Sequence, residues 1–128
     1  MIPSPDRVAI AILAASPDLA ALHGGRVSTD LQPGGPAIRV TLLPGPATQT
    51  RWEWSAQLQL ECWAADQLDA GDLAAAVRDA WPYVRGTFAD AYVSGSWIVT
   101  EPMSVPDPQT NRPRYLLTVG LAVHEAAA

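Results

Sequence analysis

WSAQLQLECWAADQLDAGDLAAAVRDAW, residues 54–81, passes from a two-residue period to a helical one within a few positions. Trp54, Ala56, Leu58, Leu60 and Cys62 fall on one side of an alternating run, and Ser55, Gln57, Gln59 and Glu61 on the other. That alternation predicts a half-buried strand over 54–64. Its polar series faces water or a wet partner, as one face of an antiparallel sheet commonly does. Asp66 then stands where an N-cap belongs, with Asp69 three residues on in the place of a capping-box acceptor. The helix that follows runs to about Trp81, where Pro82 disfavours continuation. Leu73, Val77, Ala80 and Trp81 form its apolar stripe, and Asp72 and Asp79 its wet side.

Working outward, residues 37–43 alternate with Ile38, Val40 and Leu42 against Arg39 and Thr41, a second half-buried strand. Pro44-Gly45-Pro46 breaks it, and residues 45–53 form a connection too loose for a tight hairpin. A short strand is expected over 27–29. Nearer the amino terminus, Pro5-Asp6 opens a helix carrying Val8, Ile12 and Ala15 on one stripe, which Ser16-Pro17 stops. Asp18 caps one further turn, 19–22, ended by His23-Gly24-Gly25. Beyond the central helix, residues 93–101 read as a strand with Val93, Gly95, Trp97 and Val99 on one face and Ser94, Ser96 and Ile98 on the other. A proline-bearing turn over 103–113 leads to a last strand, 114–124, with Tyr115, Leu117, Val119, Leu121 and Val123 facing the core. The expected fold is α+β: a mainly antiparallel sheet of four to five strands with two helices packed on one face. No repeat or linker divides residues 1–128, so one domain is expected.

Composition limits the function classes. The chain is 48% apolar and 16% charged, which suits a packed globule, and its net charge of −5 argues against general binding to phosphate backbones. All eight basic residues are arginine, a usage that fits a GC-rich genome and also suits protein interfaces. Cys62 is the single cysteine, so no internal disulfide and no zinc set can form. The apolar run 8–15 is far too short to cross a bilayer, so no membrane partner is expected.

The templates of catalysis fail on residue supply. His23 reads as a surface cap in a glycine-flanked turn, and His124 as the close of the last strand. No nucleophile elbow or phosphate-binding glycine loop occurs, and Asp66, Asp69 and Asp72 are accounted for by the helix dipole. We therefore expect no enzyme, no cofactor and no metal. Cys62 faces the core and should be inert. What stands out is aromatic and arginine side chains at exposed positions. Arg51, Trp52, Trp63, Arg112 and Arg114 are the candidate protein-interface residues. Trp63 falls on the polar face of its strand, where it either anchors a partner or packs under a returning loop.

Three segments carry a resemblance: GRVST at 25–29, CWAAD at 62–66 before an alanine-rich helix, and PDPQTNRPRY at 106–115 before an apolar strand. In this order they resemble the tail terminator proteins of long-tailed, siphovirus-type bacteriophages, particularly those of actinobacterial hosts. The resemblance implies an α+β subunit of a hexameric ring at the head-proximal end of the tail tube, present in host cytoplasm during assembly and in the virion afterwards. Such a ring ends tube polymerisation. Its implied partners are other copies of itself, the tail tube protein and the head–tail connector. Genome DNA passes through its lumen without sequence-specific binding, which six acidic subunits, about −30 together, would favour by repulsion. The alternatives left open are a head-completion protein of the connector and a small-ligand binding module with a site between sheet and helices.

Overall fold

A computed structural model describes residues 2–30, 35–44, 48–49 and 52–126. The elements run α1 (Pro5–Ala15), α2 (Pro17–His23), β1 (Val27–Ser28), β2 (Ala37–Leu42), β3 (Thr48–Gln49), β4 (Glu53–Trp63), α3 (Gln67–Ala80), a 3-10 turn (Trp81–Tyr83), β5 (Gly86–Phe88), β6 (Ala91–Ser104) and β7 (Arg114–Glu125). The fold is α+β, as expected. Its strand order is β1-β2-β4-β7-β6-β5, with β3 paired to the start of β4. Every pairing is antiparallel except β1 with β2. The described residues hold seven strands and three helices rather than four to five and two. The two unforeseen strands, β3 and β5, are two and three residues long, too short to show a period.

The third helix is α2, longer than the single turn capped by Asp18 that its sequence suggests. Its N-cap is Ser16, whose Oγ accepts from Leu19 N at 3.4 Å, because Pro17 supplies a preset first helical residue with no N–H to satisfy. His23, expected at the surface, is fully buried. Its Nδ1 accepts from Gly25 N at 2.9 Å and its Nε2 lies 3.0 Å from the Leu13 carbonyl oxygen, which assigns the proton to Nε2. The ring thus ties the end of α2 to the end of α1. The N-cap of α3 is the expected Asp66, whose Oδ1 accepts from Asp69 N at 2.8 Å.

The helices cover the inner face of the sheet. Leu58, Leu60, Leu117, Val119 and Leu121 meet Val8, Ile12 and Leu13 of α1 and Leu73 and Val77 of α3 in one core. Ala80, predicted in the buried stripe of α3, is exposed, because the chain turns into the 3-10 segment there and only Trp81 enters the core. Trp81 donates its Nε1–H to the Gly120 carbonyl at 2.9 Å, so its polar edge is satisfied.

Strand β6 departs from the simple alternation. Its pairing with β7 slips between Val93 and Gly95, so that Gly95 opposes Ala122, Ser96 opposes Leu121 and Trp97 opposes Gly120. One extra residue reverses the parity of residues 95–98, and two further shifts follow, between Ile98 and Thr100 and between Thr100 and Met103. Ser96 and Ile98 therefore turn inward with Val93, and Trp97 outward, whereas the sequence reading sets Val93 and Trp97 on one face. Ser96 is buried because its hydroxyl donates to the Trp81 carbonyl at 2.6 Å, closing the turn that ends α3.

Candidate protein-interface surface

Among the described residues no helix lies on the outer face of the sheet. Pairing places Arg39 of β2, Glu61 and Trp63 of β4, Arg114 and Leu116 of β7 and Met103 of β6 on this face, toward one end. Glu61 is the hub. It is only 6% exposed, and Arg114 Nη1 donates to its Oε1 at 3.0 Å. Arg39 Nε approaches Oε2 at 3.3 Å without the alignment of a hydrogen bond, a charge contact from a half-wet guanidinium. Arg114 Nε also donates to the Val105 carbonyl at 2.8 Å, which pins the returning loop to the sheet.

That loop, 105–113, is closed by its own backbone. Val105 N bonds Arg114 O at 3.0 Å, Asp107 N bonds Arg112 O at 3.0 Å, and Asn111 N bonds Asp107 O at 2.8 Å with Asn111 in the left-handed region. Hydrogen bonds from the Thr110 hydroxyl and the Gln109 and Thr110 amides hold the Asp107 carboxyl below its ordinary range, helped by the charge of Arg114. The loop carries Arg112 to a position 4.9 Å above the Trp63 ring centroid, with the Arg114 guanidinium 5.3 Å from the same centroid. Trp63 is 1% exposed, so of its two sequence readings the structure takes packing under the returning loop. Its indole Nε1 has no hydrogen-bond partner among the described residues.

The five predicted interface residues are therefore not one patch. Trp63, Arg112 and Arg114 come together, whereas Trp52, 65% exposed, precedes the opposite end of β4, about 35 Å away by strand rise. Arg51 lies outside the described residues, as do residues 45–47 and 50 of the expected loose connection. Within the arginine group the roles differ. Arg114 is an internal ion-pair partner at 14% side-chain exposure, and Arg112 forms the outer layer. Sequence reasoning missed Arg39 and Glu61, whose meeting depends on the β2–β4 register. The expectation that β4's polar face is wet holds along its middle and fails at Glu61 and Trp63, where arginines cover it.

Elsewhere on the outer face, Trp97 lies across Gly120. A Cβ at Gly120 would meet the indole at 2.0 Å, so glycine is what lets the ring lie on the sheet. Ser94 Oγ and His124 Nε2 are 2.8 Å apart nearby. Among the described residues the other nitrogen of His124 has no hydrogen-bond partner. On the opposite side, Ile12, Leu19, Val77, Trp81 and Phe88 line an apolar cleft of about 310 Å³ between helices and 3-10 turn, with Arg85 at its edge. Among the described residues no group of three or more His, Cys, Asp or Glu could hold a metal ion.

No protein-family model and no curated protein sequence matches the chain. Its fold does match a solved structure. A chain in the virion of a native gene transfer agent particle is similar at a TM-score of 0.72 and 19% identity, over 94% of this chain and 95% of that one. The architecture is thus shared, along almost the whole of both chains, with a component of a gene transfer agent virion.

Proposed function

We propose that the chain is a structural protein of a phage-like virion, and within it the tail terminator: a non-enzymatic subunit that forms a ring on the head-proximal end of the tail tube, stops its polymerisation and docks the head connector. The observation that carries this reading is the fold likeness to a gene transfer agent virion chain over nearly the full length of both. The surface is in keeping with it. Apolar and arginine side chains stand together on an uncovered sheet face, as they do at protein interfaces, and the proline-bearing loop at its end is closed by its own hydrogen bonds, which lowers the entropy lost on docking.

The ring is expected to be marginal without its template. Burying one aromatic side chain of roughly 200 Å² contributes about 5 kcal/mol, and association costs at least ~4 kcal/mol in lost freedom. A tube end presenting several contacts at once removes much of that cost through effective concentration. Light scattering of the purified chain, alone and with preformed tail tubes, tests the reading. We expect weak self-association alone, with monomer dominant at micromolar concentration and oligomers appearing at about 100 μM, and tubes capped by rings and arrested in length when the chain is added. Tubes that grow unchanged and bind none of the chain would overturn it.

A further inference from the structure

We infer that neighbouring copies meet face to back: the exposed stripe of α3 on one copy docks on the arginine-bearing end of the next copy's outer sheet face. This deepens the ring reading and rests on it.

The two surfaces are complementary and lie on opposite sides of the subunit. Ala70, Leu73, Ala74 and Val77 are the buried side of α3. Leu68, Asp72, Ala75 and Asp79, spaced by four, three and four, are all exposed and project from the helix directly away from the sheet. Leu68 is 81% exposed, an apolar group at the first position of an otherwise small and acidic stripe. Across the molecule, Met103 at 54% exposure pairs with Leu116 beside the Arg39, Glu61, Arg114 and Arg112 group. Three guanidinium charges against the carboxylates of Glu61 and Asp107 leave this end with a net positive charge on a chain whose net charge is −5. An apolar and acidic ridge on one side thus answers an apolar and basic face on the other.

Such a contact is heterologous, because different patches of identical chains meet, and a heterologous contact whose rotation closes makes a ring rather than a two-fold dimer. Its size explains why it needs help. A 14-residue helix is about 21 Å long and 10 Å wide, a footprint near ~200 Å², against ~800 Å² per partner in a stable interface. The stripe therefore sets the geometry and register of neighbours, and the template holds them.

Charge reversal tests the contact. Arg112→Glu and Asp72→Arg each change an exposed or half-exposed side chain that forms no hydrogen bond through its charged group among the described residues, and circular dichroism and thermal melting check that both fold. Sedimentation velocity at about 100 μM reads self-association. Each variant alone sets like charges against each other at the contact and is expected to associate at least about tenfold more weakly than wild type. An equal mixture of the two is expected to recover association, because in a ring where the two variants alternate every junction again joins opposite charges at positions 72 and 112. A wild type that stays monomeric at that concentration, variants that associate as well as wild type, or a mixture that recovers nothing overturns the inference. Tube capping by the same proteins separates the two claims: variants that cap as well as wild type remove this contact and leave the terminator reading, whereas a wild type that caps no tube removes the reading itself.

Discussion

Replacing Arg114 by alanine should destabilise the subunit far more than replacing Arg112, although both arginines lie by the same tryptophan. Arg114 is the closer and better aligned of the two cations on Glu61, a carboxylate that is 6% exposed. Without it the charge keeps only Arg39, which is 40% exposed in its side chain and off the hydrogen-bond axis at 3.3 Å. Breaking one partner from a buried ion pair costs about 3–5 kcal/mol, and we take the low end because Arg39 remains. The lost bond to the Val105 carbonyl adds about 1 kcal/mol. A loss of roughly 3–4 kcal/mol in a chain of 128 residues lowers Tm by about 10–15 °C. Arg112→Ala removes a cation–π contact at the surface and should cost about 0.5–1 kcal/mol. Urea unfolding at pH 7 measures both. Repeating Arg114→Ala in a Glu61→Gln background should recover about 2 kcal/mol of the loss, since no charge is then stranded. Equal effects of the two substitutions, or no coupling between positions 61 and 114, would refute the ion-pair account.

Three further outcomes are expected. Gly120→Ala forces the Trp97 indole off the sheet and should cost about 1–3 kcal/mol, with a red shift of tryptophan emission that is absent in a Trp97→Phe background; an unchanged spectrum would contradict the packing. His23→Ala removes the bond that joins α2 to Leu13 of α1 and the bond from Gly25 N that closes α2, and leaves a buried gap, for a loss of about 2 kcal/mol or more in urea unfolding; a loss below ~0.5 kcal/mol would show that the ring is not the tie between the helices. Burial, then the neighbouring charge of Glu61, pushes the Cys62 thiol up to about 12 from 9.0. The folded state thus keeps a proton that the unfolded state gives up, so this contribution is intact below pH 9 and declines by about 1.4 kcal/mol per unit from there toward pH 12. Cys62→Ala should flatten that decline relative to wild type, and parallel curves for the two proteins would count against it.

The parts of the fold that are legible in the sequence are those in which a period runs long enough to be counted. β4 and β7 alternate over eleven or twelve residues, and α3 is marked by Asp66 and a 3.6-residue stripe. β6 escapes such a reading through three shifts in its pairing with β7, the first of which, at residues 93–95, leaves no compositional mark beyond a glycine and reverses residues 95–98. The site is half legible for a related reason. Composition singles out Trp63, Arg112 and Arg114, which the β4–β7 register and the loop do bring together. That Glu61 anchors them, and that Trp63 lies beneath rather than above, depends on which strand lies next to which. His23 reads as a surface residue from its glycine neighbours, yet Gly25 is what turns a backbone N–H onto its ring.

The most direct test of the central claim is to image assembled particles that carry this chain with a small electron-dense label on it. The account predicts one cluster of label per particle, at the junction of tail tube and head, and tails of uncontrolled length when the chain is omitted. Label spread along the tube, confined to the far tip or absent from the particle, together with tails of normal length in its absence, would contradict it.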